Sequence, residues 1–198
     1  MLKAAHAAGL DRLVITDHNR LEGALEAARL EPEFVIVGEE VRTTMGEFLA
    51  FFVKEAVPAH LEPFKALELL KVQGAFISVS HPMDYVRCGW PMGMLKELAP
   101  QVDAIEGGNA RVFKLSTNEE AMAFAAEHHL AVTAGSDAHN PRELGSMGME
   151  LPEFMDAESL RKVIRQGSIF GAISPTWVHL FSVQAKIEKM AKRIVGLK

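Results

Sequence analysis

The chain has 198 residues, of which 48% are hydrophobic, and carries a net charge of −5 at pH 7. That length suits one domain with a full core and is short for a complete eight-unit barrel. No apolar stretch approaches the roughly 20 residues that a membrane span needs. A single cysteine, Cys88, excludes an internal disulfide framework and favours a reducing, cytoplasmic compartment. The acidic balance argues against strong nucleic-acid binding and is compatible with a small phosphorylated substrate.

Strands and helices are predicted to alternate along the chain. A first helix has Leu2, Ala5 and Ala8 at helical spacing and ends at Gly9. Further helices are predicted over 21–30, 63–73, 118–129 (capped by Thr117), 157–166 (capped by Asp156) and 183–195. Strands are predicted over 13–16, 34–37, 47–53, 75–79, 102–105, 130–135 and 168–173, and residues 83–93 are predicted to be an irregular loop. Short connections between alternating elements are typical of a parallel α/β fold.

Five of the predicted strands run into polar side chains that could bind a metal. The groups that follow them are Asp17-His18, Glu39-Glu40, His81, Glu106 with Asn109, and Asp137 with His139. Because the carboxyl ends of parallel strands meet at one face of an α/β fold, these side chains are expected to converge there. Nitrogen and oxygen ligands that converge are what a divalent-metal hydrolytic site requires.

Each cluster also has a simpler structural interpretation. Asp137 and His139 could belong to a solvated loop, and Asp17 could be a helix cap. A lone histidine such as His81 is usually a hydrogen-bonded structural residue. Spacing alone does not decide which of Glu39 and Glu40 points inward, and either could be a surface charge.

Four motifs together resemble the PHP (polymerase and histidinol phosphatase) family of metal-dependent phosphoesterases. They are ITDHN at 15–19, VGEEV at 37–41, SHP at 80–82 and AGSDAHN at 134–140, and the resemblance covers residues 1 to about 173. It implies a distorted (β/α)7 barrel that holds two or three divalent metal ions (Zn, Mn or Fe). The metal ligands that it implies are His18, Glu40 (bridging), His81, Asp137 and His139, with Glu47 as a further candidate. Asp17 would orient a neighbouring ligand instead of binding metal.

The chain departs from the family pattern at its start. Family members begin with a strand that ends in His-x-His, whereas this sequence starts in the helix that should follow that strand. The expectation is therefore a single PHP-like domain over 1–198, a barrel incomplete at its N-terminal strand, and fewer bound metals than the family cluster. Either the start codon is placed too far downstream or the domain is truncated. An open edge would be expected to be covered by a homo-oligomer or by strand exchange.

The predicted function is metal-dependent hydrolysis of a phosphate ester, with a metal-activated water as nucleophile. Arg87, Asn109 and Arg111 follow strand ends and are candidates to bind the phosphate, although the two arginines could equally serve surface solubility. Two alternatives stay open. One is a non-catalytic or impaired metal-binding module, and the other is an amidohydrolase-type enzyme that hydrolyses a carbon–nitrogen bond.

Overall fold

The computed structural model describes residues 1–174, in which helices and strands alternate. The helices are α1 (Leu2–Ala7), α2 (Glu22–Leu30), α3 (Pro63–Val72), α4 (Met92–Leu98), α5 (Leu115–Glu127) and α6 (Ala157–Val163). The strands are β1 (Leu13–Ile15), β2 (Val35–Arg42), β3 (Glu47–Phe51), β4 (Phe76–Val79), β5 (Ala104–Asn109), β6 (Ala131–Gly135), β7 (Met147–Glu150) and β8 (Ser168–Gly171). The predicted helix over 183–195 lies outside the described residues.

Six strands form one curled sheet in the order β1-β2-β3-β4-β5-β6, and β7 and β8 form a separate antiparallel pair. The sheet is an incomplete barrel, which confirms the predicted fold class. The parallel arrangement that the alternating elements predict is interrupted at β3, which runs antiparallel to both β2 and β4. The turn between β2 and β3 is too short for the crossover that a parallel pair requires, so the two strands form a hairpin.

Local sequence signals account for most helix ends. Pro63 occupies the first turn of α3, where its missing N–H costs no hydrogen bond. Gly9 and Gly74 follow α1 and α3 with φ of 76° and 74°, a left-handed conformation that favours glycine. The sequence therefore predicts α1, α2 and α3 to within one or two residues at their ends.

The predicted Thr117 cap is wrong, and the sequence did not predict α4 or β7. Thr117 does not cap α5, because the helix already begins at Leu115. The buried Asn118 instead exchanges two hydrogen bonds with the backbone of Asn109, each of 3.1 Å, and so ties α5 to the end of β5. Helix α4 begins at Met92, inside the stretch expected to be irregular, and β7 was not predicted.

The core lies between the curled sheet and its helices. The largest side chains with almost no exposure are Trp90, Phe48, Phe76, Leu67, Leu70 and Ile77. A smaller apolar cluster packs α1 and α2 on β1, and another packs α6 on β4, β5 and β6. Among residues 1–174, no helix is both long and apolar enough to cross a membrane.

Asp156 caps α6, as the sequence predicts. Its carboxylate accepts a hydrogen bond of 2.7 Å from Ser159 N–H, and Ser159 Oγ accepts one of 3.0 Å from Asp156 N–H. These interactions are a capping box, which satisfies backbone donors that the first turn of a helix leaves unpaired. The bonds from the Ser159 hydroxyl and N–H lower the pKa of Asp156 below its ordinary 3.8.

Replacing Asp156 with Ala should therefore lower the thermal midpoint at pH 7 by about 2–4 °C, as loss of one cap does in a domain of this size. A lowered carboxyl pKa stabilises the fold fully above the unfolded value and less as the pH falls through the folded value. The difference between wild type and D156N, which keeps a capping oxygen but does not titrate, should accordingly change below pH 3.8. Circular dichroism melts from pH 7 to pH 2 measure both effects. A D156A midpoint equal to that of wild type would contradict the capping role.

Candidate metal centre

The backbone brings the first two candidate ligands together. His18 and Glu40 form a parallel β-bridge just beyond the paired part of β1 and β2. Asn19 N–H donates to Glu40 C=O at 3.0 Å, and Glu40 N–H donates to Asp17 C=O at 3.3 Å. Glu40 therefore lies inside β2, not beyond its end as expected. Asn19 has φ of 53°, a left-handed conformation that asparagine tolerates better than most residues.

Four side chains meet at this point. His18 Nδ1 lies 3.1 Å from Glu40 Oε2 and 3.9 Å from Glu47 Oε1, and His81 Nε2 lies 3.3 Å from an oxygen of each glutamate. One ligand atom from each of His18, Glu40 and Glu47 lies within 4.8 Å of the others. Imidazole nitrogens and carboxylate oxygens at these separations suit a first-row divalent cation. The donor set therefore fits a metal ion, with His18 half-exposed at its open side.

Burial and charge are closely balanced in this cluster. Burial alone would lower the pKa of His81, but its bonds to Glu40 and Glu47 outweigh that effect and raise the pKa from 6.5 to about 10. Burial would raise the pKa of Glu47, but the hydrogen bond and charge of His81 lower it below 4.5. Without a metal, His81 is thus an imidazolium that bridges two carboxylates. Coordination would require its Nε2 to lose that proton.

The choice between the two adjacent glutamates is settled by the alternation of side chains along β2. Glu40 faces the cluster and also accepts a hydrogen bond of 2.9 Å from Ser80 Oγ. Glu39 is fully buried on the other face, where it accepts a hydrogen bond of 3.0 Å from Val57 N–H. Burial raises the pKa of Glu39 despite that bond. Glu39 is therefore part of the packing behind β2 and does not reach the metal cluster.

A second polar group surrounds Arg87. Its Nε donates to Asp84 Oδ2 at 2.7 Å, its Nη1 donates to Asp137 Oδ2, and its Nη2 donates to Asn109 Oδ1 at 3.2 Å. Asn109 Nδ2 also donates to Asp137 Oδ2 at 3.2 Å. Burial raises the pKa of Asp137, but the charges of Arg87 and His139 lower it below 3.8 overall. The backbone of Asp137 has a φ of 48°, a left-handed conformation that is strained for a residue other than glycine.

His139 is positioned by a buried ion pair behind it. Glu143 accepts from Arg111 Nη1 at 2.9 Å and from the N–H of His139 at 2.7 Å. His139 Nδ1 lies 3.6 Å from Asp137 Oδ1, and the His139 and His18 rings meet edge to face with centroids 6.4 Å apart. The guanidinium of Arg111 is buried in this ion pair, so the structure gives it a part in fixing the loop that carries His139.

The predicted site residues thus lie at one end of the sheet, in two adjoining groups. His18, Glu40, Glu47 and His81 form the first, and Arg87, Asn109, Asp137 and His139 form the second. The individual ligand and phosphate-binding roles stay predictions. Asp17 is exposed, with a carboxylate oxygen close to Gly23 in the first turn of α2.

Three further residues support these groups: Glu106, which sequence reasoning named only as part of a strand-end group, and Asp84 and Trp90, which it did not name. Glu106 is buried in the middle of β5, and burial raises its pKa to about 7. It accepts a hydrogen bond of 2.7 Å from the N–H of His81. Asp84 is buried beside Arg87, and Trp90 Nε1 donates to Glu47 C=O at 3.2 Å. The strand-end pattern pointed to Glu106, but nothing local marked Asp84 or Trp90.

Gly46 allows Trp90 to support Glu47. The indole of Trp90 is fully buried, lies 5.0 Å from the Phe48 ring between centroids, and covers the turn that precedes β3. A Cβ at Gly46 would overlap this ring. Since the ring is rigid and enclosed, it cannot move aside without displacing the Glu47 backbone.

Replacing Gly46 with Ala should therefore cost about 1–3 kcal/mol of unfolding free energy, as overpacking of a full core does. The same change should weaken Mn²⁺ binding at the Glu47 cluster, because Glu47 is the next residue. Urea denaturation and titration calorimetry measure the two effects. G93A is the matched control, because a Cβ at Gly93 in α4 meets nothing within 4 Å. Equal Mn²⁺ affinity in G46A and G93A would show that Trp90 does not position Glu47.

The sequence of this chain is similar to a known family and to two curated proteins. A family model described as PHP-associated matches residues 116–169. The uncharacterized protein MJ0417 of Methanocaldococcus jannaschii is 32% identical over 143 residues, which are 70% of this chain and 57% of that protein. A second relative from that organism, MJ1587, is 39% identical over 85 residues, which are 41% of this chain and 50% of the relative. The chain therefore spans little more than half the length of the curated relatives that it matches.

Solved structures share the fold. PsfC from Pseudomonas syringae superposes with a TM-score of 0.66 and 18% identity, over 96% of this chain and 87% of PsfC. A two-domain protein from Bacteroides vulgatus is described as containing a predicted PHP-like metal-dependent phosphoesterase. It superposes with a TM-score of 0.64 and 20% identity, over 83% of this chain and 57% of that chain. At such identities the likeness concerns the fold.

Proposed function

We propose that the chain is a metal-dependent phosphoesterase of the PHP domain family whose divalent cation is held by His18, Glu40, Glu47 and His81. The observation that carries the proposal is the cluster of two imidazoles and two carboxylates at the end of the sheet, with ligand atoms 3.1–3.9 Å apart. The similarity to a protein described as containing a PHP-like metal-dependent phosphoesterase supports the choice of phosphate chemistry.

A divalent cation bound there would supply Lewis acidity to a phosphoryl oxygen and a lowered pKa to an attacking water. The residues supply the rest. Glu40 and Glu47 provide the negative charge that the cation needs, and Ser80 Oγ fixes one oxygen of Glu40. His81 would offer its Nε2 lone pair to the cation once the proton that it holds between the glutamates is lost.

The exposed side of the cluster is where a substrate would enter. The His18 side chain is 54% exposed and that of His139 is 40% exposed, whereas Glu40, Glu47 and His81 are buried. A cation held from beneath by buried ligands keeps its outer positions for water and a phosphate oxygen, as a catalytic site needs. The identity of the ester stays outside this proposal.

Release of p-nitrophenol from a phosphate ester by the purified 198-residue chain tests the proposal. Hydrolysis of p-nitrophenyl phosphate or bis(p-nitrophenyl) phosphate should require Mn²⁺ and stop when EDTA is added. E47Q should lower Mn²⁺ affinity by at least about 100-fold, because loss of a direct ligand costs no less than loss of an outer partner. E68Q is the control, since Glu68 is exposed on α3 and pairs with Lys65.

Two results would contradict this function. One is hydrolysis that continues in EDTA or is equal in E47Q and E68Q. The other is cleavage of amides or lactams without any phosphate-ester hydrolysis, which would instead favour carbon–nitrogen bond hydrolysis.

A further inference from the structure

Arg87 binds protein groups with all three nitrogens of its guanidinium. Nε contacts Asp84, Nη1 contacts Asp137 and Nη2 contacts Asn109. The guanidinium is a rigid planar fork, and three bonded nitrogens fix both its position and its orientation. The side chain is only 23% exposed, so this is an enclosed contact and not a surface pair.

The turn before Arg87 prepares it for this role. Asp84 Oδ1 accepts from Val86 N–H at 3.2 Å while Oδ2 accepts from Arg87 Nε at 2.7 Å. The backbone N–H groups of Arg87 and Gly89 both donate to Asp84 C=O, at 3.0 and 2.9 Å. The loop therefore presents the arginine to Asp137 from a constrained turn.

Protein donors already occupy one oxygen of the Asp137 carboxylate. Its Oδ2 already accepts from Arg87 Nη1 and from Asn109 Nδ2. Its Oδ1 lies 3.6 Å from His139 Nδ1, beyond hydrogen-bond distance, and that nitrogen lies 2.9 Å from the backbone carbonyl of Asp137. A second divalent cation bound through Oδ1 would lie close to the fixed positive charge of Arg87, and like charges at such a distance repel strongly inside a protein.

The group around Asp137 differs from the group around Glu40 in the side chains that it offers to a metal ion. Among residues 1–174, the group of His, Cys, Asp and Glu side chains close enough to hold a metal ion is His18, Glu40 and Glu47, which His81 adjoins at 3.3 Å from both glutamates; Asp137 and His139 are not part of it. Asp84 and Asp137 are close enough to share one cation, but that cation is the guanidinium.

We propose that Arg87 is the built-in cation of the Asp137 half of the site and restricts the chain to one divalent metal ion, at His18, Glu40, Glu47 and His81. The inference rests on the metal site of the proposed function. It also assigns a latent second cation site, made of Asp84, Asp137 and Asn109, that opens when the guanidinium is removed. Arg87 is thereby a residue that sets metal stoichiometry.

Titration calorimetry with Mn²⁺ tests this with three variants. R87Q removes the charge and should bind two Mn²⁺ ions, the second more weakly than the first. R87K keeps a positive charge beside Asp137 and should bind one, as wild type does. R142Q is the matched control for loss of a positive charge, because Arg142 is exposed on the loop after His139, and it should also bind one. Mn²⁺ electron paramagnetic resonance gives an independent readout, because two nearby ions broaden each other's signal.

D137N adds a test that does not depend on how R87Q folds. If Asp137 serves Arg87 and not a metal, D137N should keep the stoichiometry of wild type and its Mn²⁺ affinity within about twofold. A loss of about tenfold or more, the scale expected for a group that supports a metal directly, would overturn the inference.

The remaining outcomes separate this inference from the proposed function. Two Mn²⁺ ions in wild type, no Mn²⁺ in wild type, or one ion of equal affinity in R87Q and R142Q would each overturn it. One ion in wild type and two in R87Q, without any phosphate-ester hydrolysis, would support the role of Arg87 while contradicting the proposed function.

Discussion

The site depends on two carboxylates, Glu40 and Glu47, that the sheet holds almost out of water. Buried charges of the same sign are strongly unfavourable unless a positive group lies between them. His81 meets that need at 3.3 Å from each carboxylate, and the two glutamates and one imidazolium still leave a net charge of −1. If His81 gives up its proton to bind a metal, the three groups carry −2, which equals the charge that a divalent cation neutralises. The cluster therefore holds together as an ion network without a metal and matches a metal when one is present.

The antiparallel strand β3 explains how Glu47 reaches this cluster. Parallel strands deliver their last residues to the functional end of a sheet, but β3 runs the other way and delivers its first residue, Glu47. The turn that reverses the chain is closed by Thr43, whose Oγ1 donates to Gly46 C=O at 2.7 Å and accepts from Gly46 N–H at 3.1 Å. A search for polar groups at the carboxyl ends of strands cannot find such a residue. Resemblance to a family motif, and not strand polarity, is what made Glu47 a candidate.

The sequence predicts a feature well when the residues that determine it lie close together along the chain, and poorly when they lie far apart. Asp156 and Ser159 cap α6 through bonds between residues three apart, so the sequence locates that cap correctly. Thr117 has equal capping chemistry but lies inside α5, because Asn118 is bound to Asn109 on a neighbouring strand. Strand β7 gains its partner only through β8, some twenty residues later, and its short sequence carries no strand signal of its own. Although β2 and β5 continue past their apolar runs and contain Glu40, Glu106 and Asn109, those runs made the polar clusters predictable. The contacts within those clusters were not predictable.

The two halves of the site differ in the kind of positive charge that each contains. His81 can exchange its proton for a metal, because a neutral imidazole is a good ligand. Arg87 has no such alternative, because a guanidinium stays charged in proteins and has no free lone pair to offer. The same need to neutralise buried carboxylates is therefore met by a replaceable charge near Glu40 and by a permanent one near Asp137. Arg87 and Asp137 are separated by 50 residues in sequence and joined only by the fold. The asymmetry thus arises from tertiary structure, although the motifs that supply the carboxylates can be read from the sequence.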